Sequence, residues 1–174
     1  MGWGKYVVGA LAIAAVTHFA AVYAMPRALM NVAMERIGAG GSNVWHLANR
    51  VTAESRDIVR PSPDFAYSAC AYDLSEGPVV ISAAPWNSYW SLSLYGANSD
   101  NYYVIDDREA HYGAEILLIR RGQRAPENAT NVVQSPSGRG IALIRRLAPS
   151  PASYSAAAEA ARADVCASVA HLAG

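Results

Sequence analysis

The carboxylates, phenols and imidazoles of this chain cluster around short strand-like runs, and their spacing decides which chemistry is open to them. The densest polar group is Asp106-Asp107-Arg108, with Asn98, Asp100 and His111 close by in sequence. A calcium loop needs six or more oxygens and a turn glycine at a set position, and that spacing is absent. The four histidines, His18, His46, His111 and His171, form no HxH or HxxxH pair, so no metal site and no cofactor is expected. No Gly-x-Ser-x-Gly elbow marks a nucleophile, so no catalytic residue is assigned. One set could still line a pocket if the strands converge: Asp64, Tyr67, Tyr89 and Asp106. Two carboxylates and two phenols there would suit a small-ligand binder or a hydrolase. The competing reading makes Asp64 and Asp73 turn carboxylates that accept from backbone amides. His46, beside Trp45, is expected to be a surface or packing residue.

Two cysteines, Cys70 and Cys166, stand far apart in sequence. In an exported domain they would form a disulfide; in a cytosolic one they would stay buried and free. A bond would close a loop of about a hundred residues and tie the end of the chain to the first long strand, stabilising it by up to about 4–5 kcal/mol.

The elements that must position these residues begin with Tyr6–Met25, an apolar stretch without a formal charge. As a helix rising about 1.5 Å per residue it spans a hydrocarbon core of about 30 Å. Trp3, Tyr6 and Tyr23 suit the two interfaces. The competing readings are a cleaved signal peptide, with Val22-Tyr23-Ala24 as its site, and a buried core helix. Ala10, Ala14 and His18 share one face, where small residues allow another helix to approach. Pro26 is expected to kink the helix or to open a new one, and Arg27–Ile37 reads as an amphipathic juxtamembrane helix. Gly38–Ser42 reads as a hinge, and Asn43–Asp57 as a short turn or helix docked on the β-rich domain.

After the Pro61–Asp64 turn, seven strands are expected: 65–74, 78–83, 89–95, 102–105, 116–120, 131–134 and 141–146. Ser75-Glu76-Gly77 would join the first two as a hairpin. From Ser150 and Pro151 a closing helix is expected, with an apolar stripe of Tyr154, Ala158, Ala161, Val165, Val169 and Leu172. Glu159, Arg162 and Asp164 would face away, and Cys166 would lie on that helix. The fold class is α+β: one N-terminal transmembrane helix, then an antiparallel β-sheet or sandwich closed by a C-terminal helix. Residues 1–26 form the anchor, 27–60 the juxtamembrane helix and linker, and 61–174 the β-rich domain.

Six of the 14 basic but only three of the 14 acidic side chains fall in residues 1–60, and the total formal charge is zero. No basic run with interleaved aromatics occurs, which sets nucleic-acid binding aside. The positive-inside count is close to a tie across the apolar stretch.

Residues 60–107 carry a set of motifs: Pro61, Asp64 and Tyr67; Asp73, Leu74, Gly77, Pro78 and Val79; Tyr89, Trp90, Ser91 and Leu94; Asn101 and Tyr102. In this the chain resembles a bacterial family known as domain of unknown function 1254, in its short membrane-anchored form. The resemblance implies an exported domain in the periplasm, held in the inner membrane. Long members of that family carry a second domain of a sister family, so the resemblance also implies a protein partner bearing it. This chain has Ser62-Pro63-Asp64-Phe65 where long members have Asn-x-Asp-Thr, and Gly96 where they tend to have Asp. The function expected is therefore an anchored envelope protein with a non-catalytic binding or assembly domain, its partners the lipid bilayer and that protein.

Overall fold

The computed structural model describes residues 2–56 and 60–172. Its elements follow from two periodicities. A run of 34 residues with apolar side chains on every face forms one helix, α1 (Gly4–Ile37). Period-two runs form nine strands: β1 (His46–Leu47), β2 (Phe65–Asp73), β3 (Val79–Ala83), β4 (Trp90–Gly96), β5 (Asn101–Asp106), β6 (Ala114–Arg120), β7 (Val132–Ser135), β8 (Arg139–Leu147) and β9 (Val165–Ser168). Two short helices, α2 (Pro151–Ala160) and α3 (Val169–Leu172), flank β9. The α+β class is as the sequence implies.

The strands form two sheets. Sheet A runs in the order β1-β2-β8-β4-β5 and sheet B in the order β7-β6-β3-β9. Their facing sides bury Cys70, Tyr72, Trp90, Leu92, Leu94, Ala142 and Ile144 from sheet A against Val79, Ile81, Ile116, Leu118 and Cys166 from sheet B. Hydrophobic burial at about 25 cal/mol per Å² makes this layer the main source of stability.

Four local expectations are corrected. Pro26 does not open a new helix; α1 runs through it. Pro26 cannot donate to the Val22 carbonyl one turn back, and Arg27 Nη1 donates to the next carbonyl, Tyr23 O, at 2.7 Å. The segment expected to dock as a turn or helix instead supplies β1, paired with β2 through His46–Ala69 and Leu47–Ser68; its end at Asp57 lies outside the described residues. Ser75-Glu76-Gly77 makes no hairpin: it carries the chain from sheet A to sheet B, since β2 pairs with β8 and β3 with β6 and β9. A tight turn of that composition serves either purpose. Last, β6 and β7 run parallel, because the loop between them carries the chain back before β7 starts.

The closing helix is the largest departure. Ser150 caps α2 in a reciprocal box with Ser153, and Pro151 opens it, as expected. The helix then stops at Ala160, passes through a tight turn at Ala161–Ala163, and straightens at Asp164. Val165–Ser168 joins sheet B beside β3, so Cys166 is on a strand, not on a helix. Ala157, not Ala158, is the buried residue of α2. Asp164 does not face away: its side chain is fully buried.

Candidate functional site

Alternation along sheet A gives it two unlike faces. One packs into the sandwich. The other carries Phe65, Tyr67 and Ala69 of β2, Leu143 and Arg145 of β8, Ser91, Ser93 and Tyr95 of β4, and Val104 and Asp106 of β5. Near the start of β8, α1 covers this outer face: Met30, Ala33 and Met34 pack with Ile141, beside Tyr95 and Ala97. Farther along, Val104 on β5 is 51% exposed and Tyr67, Leu143 and Arg145 are half-buried, while Ser91 and Ser93 between them are buried.

The four residues predicted to line a pocket lie on or beside this face without converging. Register places Tyr67, Arg145, Ser91 and Asp106 in one cross-strand row. Three strand spacings separate Tyr67 from Asp106, about 14 Å. Tyr67 Oη accepts from the backbone N–H of Ser62 at 3.0 Å. Asp106 is held by Arg108, whose Nη2 donates to Oδ2 at 2.7 Å. That guanidinium, helped by the Arg108 backbone N–H, keeps the Asp106 carboxyl below its ordinary range. Asp64 sits in the turn before β2, where Ser62 Oγ accepts from its N–H and its carbonyl accepts from Ala148. Asp73 does act as a turn carboxylate, accepting from Ser75 N at 2.9 Å. Tyr89 packs edge-on against Phe65 and lines a separate depression of about 260 Å³ with Trp86, Asn87, Ser88, Asp107 and His111. A wider cleft of about 600 Å³ opens between β1 and α2, lined by Trp45, Leu47, Ser68, Tyr154 and Glu159 among others. No group of three or more potential metal ligands occurs among the described residues.

Two buried polar constructions escaped sequence reasoning. Arg146 on β8 donates from Nη1 and Nη2 to the two oxygens of Asp164, at 2.8 and 2.7 Å, and from Nη2 to Ala84 O at 3.1 Å. Asp164 Oδ1 also accepts from Ala84 N at 2.8 Å. A planar fork matched to a carboxylate is the strongest form of this contact. The second is a phenol hub. Tyr72 Oη lies 3.0 Å from each of Tyr95 O, Tyr102 Oη and Ser135 Oγ. Gly140 makes room for it: a Cβ there would collide with Tyr72 Oη and Tyr95 O. Burial pushes both phenols above their ordinary value. A raised folded-state pKa gives stability that is present below the unfolded pKa and lost as pH climbs past it. Thermal stability should therefore fall as pH rises beyond about 10. The Tyr72→Phe/Tyr102→Phe variant should show a flatter decline between pH 9 and 11, measured by circular dichroism.

The sandwich, its two sheets and this end of the chain coincide with a known family. A family model described as "Protein of unknown function (DUF1254)" matches residues 42–167. The chain belongs to the DUF1254 family. No curated protein matches it. Among solved structures, the VPA0106 protein from Vibrio parahaemolyticus shares the fold of this DUF1254 chain. It aligns with a TM-score of 0.68 at 13% identity, over 89% of this chain and 38% of that one. An uncharacterized protein from Burkholderia cenocepacia aligns with a TM-score of 0.46 at 14% identity, over 63% of this chain and 32% of that one. The DUF1254 chain thus spans under two fifths of the length of the Vibrio protein.

Two features bear on the setting of this DUF1254 domain. The Sγ atoms of Cys70 and Cys166 are joined as a disulfide that crosses from β2 in sheet A to β9 in sheet B. And α1 projects from the sandwich: within its most apolar 18-residue window no residue is buried. Ala10, Ala14 and His18 all lie on that projecting part, exposed. Of the described helices it alone is long and apolar enough to cross a membrane.

Proposed function

We propose that this chain is a single-pass envelope protein, with α1 in the bacterial inner membrane and the sandwich a non-catalytic docking module on the periplasmic side. The observation that carries the reading is α1 itself. Leu11, Ile13, Val16 and Phe19 are each 65% exposed or more, an arrangement that water penalises and a hydrocarbon core does not. The disulfide supports an oxidising compartment. Ala10, Ala14 and His18 are the face on which a second transmembrane helix would pack.

The docking surface is the part of the outer face of sheet A beyond α1, around Tyr67, Leu143 and Val104. Its occupant is a separate polypeptide bearing the sister domain. The choice rests on the family resemblance, whose long members carry that domain beside this one. The test is co-purification of the full chain in mild detergent, with the captured protein identified by mass spectrometry. The expected result is a stoichiometric sister-domain protein, retained by the parent and lost from Val104→Glu and Leu143→Glu variants that still fold. Absence of any stoichiometric partner, or equal capture by the variants, would overturn the assignment. Release of the parent from membranes by carbonate would overturn the anchor.

A further inference from the structure

We propose that α1 pairs in parallel with α1 of a second copy of this chain, along a seam that runs from Val8 to Val32 at alternating spacings of three and four residues. The inference rests on the membrane placement proposed above, and it commits the second helix to this same polypeptide. Its first support lies outside the lipid. Met30, Ala33 and Met34 pack with Ile141 of the sandwich, so α1 has left the hydrocarbon by that height. Leu29 and Val32 stand at the same height, 63% and 44% exposed, and Met25, one turn below, is 61% exposed. At about 100° per residue these three share one sector, roughly 60° wide, centred about 120° around the helix from the face clamped to sheet A. Large apolar side chains repeated at spacings of four and three, and facing water, mark a helix that packs on another helix.

The second support lies inside the span and is independent of the first. His18 is the only acidic or basic side chain between Lys5 and Arg27, and it falls in the same sector and on the same spacing. The face of Ala10, Ala14 and His18 therefore runs into this seam. An ionisable side chain in lipid turns toward a partner helix rather than toward acyl chains. A second copy suits it. A neutral imidazole has one donor and one acceptor, so two His18 rings facing across a two-fold axis match, the N–H of one donating to the bare nitrogen of the other. The next seam position after Val32 is Arg36, and in a parallel pair Glu35 of one copy brings the opposite charge to Arg36 of the other. The area is adequate too. Val8, Leu11 and Val22 in the span and Met25, Leu29 and Val32 beyond it are 44–65% exposed, which offers on the order of 700 Å² per copy, close to the roughly 800 Å² per partner of a standard interface.

The test is oxidative cross-linking of the full chain in native membranes, with one cysteine introduced at a time and the linked chains identified by mass spectrometry. The native cysteines are bonded to each other and take no part. A two-fold seam brings each residue opposite its own copy, and cysteines bridge only when their Cα atoms come within about 7 Å. Leu29→Cys and Val32→Cys should each give a dimer of this chain, at least about fivefold more than Asn31→Cys, which is exposed on another face of α1. In sedimentation of the full chain in mild detergent, Leu29→Glu should weaken the dimer by about tenfold or more and His18→Leu several-fold, while Asn31→Glu should leave it unchanged. A monomeric parent, equal cross-linking at Asn31→Cys, or seam cysteines linked to a different protein would each overturn the pairing while leaving the anchor in place. Release of the parent by carbonate would overturn the pairing and the anchor together.

Discussion

Replacing Asp164 with alanine should lower the stability of the sandwich by about 3–5 kcal/mol, the usual cost of stranding one member of a buried ion pair. Both side chains are almost fully excluded from water, at 1% and 0% exposure. Without the carboxylate, Arg146 keeps only the Ala84 carbonyl for a guanidinium that cannot shed its proton. Arg146 Nε already lacks a partner, so no spare hydrogen bond is at hand. Against a typical total of about 5–15 kcal/mol the loss is large. It should appear as a drop in melting temperature on the order of 10–20 °C. Asp164→Asn, which keeps an acceptor, should lose less. Arg146→Met combined with Asp164→Leu should recover much of the loss, since a well-packed apolar pair often equals a buried ionic one. Equal stability of Asp164→Ala and the parent in urea titrations would show that the pair contributes nothing.

Removing the disulfide, as Cys70→Ala with Cys166→Ala, should cost about 2–5 kcal/mol. The two residues are 96 apart in sequence, so the bond restrains a long loop in the unfolded chain. It also straps β9 to sheet A, and β9 is an edge strand with one neighbour, β3. Cys70 is completely buried and Cys166 nearly so. A reductant therefore reaches the bond only when the sandwich opens. Thiols should appear slowly when dithiothreitol is added to the native protein, at a rate that rises with denaturant. Fast reduction at full native signal would contradict the buried strap.

Much of this fold was legible because its runs are locally consistent. Trp90-Ser91-Leu92-Ser93-Leu94 can only be a strand with one apolar face, and Ser150-Pro151 can hardly be anything but a helix start. The errors fall where local signals are ambiguous. Alanines on both sides of Ala160 have high helix propensity and conceal the end of α2, while the alternation at Val165–Ser168 is too short to stand out. A turn such as Ser75-Glu76-Gly77 looks the same whether it stays within a sheet or changes sheets. The Arg146–Asp164 pair was invisible because an arginine in a strand and an aspartate after a helix normally face water. Their burial is a tertiary fact. The candidate site was half legible. Tyr89 does line a depression, but its companions there are Asp107 and His111, neighbours of Asp106 whose orientation no spacing rule fixes.

Continuity of α1 through Pro26 has a mechanical consequence. A helix of 34 residues is about 50 Å long, and its last two turns are clamped to sheet A through Met30, Ala33 and Met34. On the proposed placement of its leading half in lipid, such an unbroken helix would act as a mast rather than a leash. The sandwich would ride at a set height and a set azimuth above the bilayer. Encounters with a neighbour in the same membrane would then become a search in two dimensions.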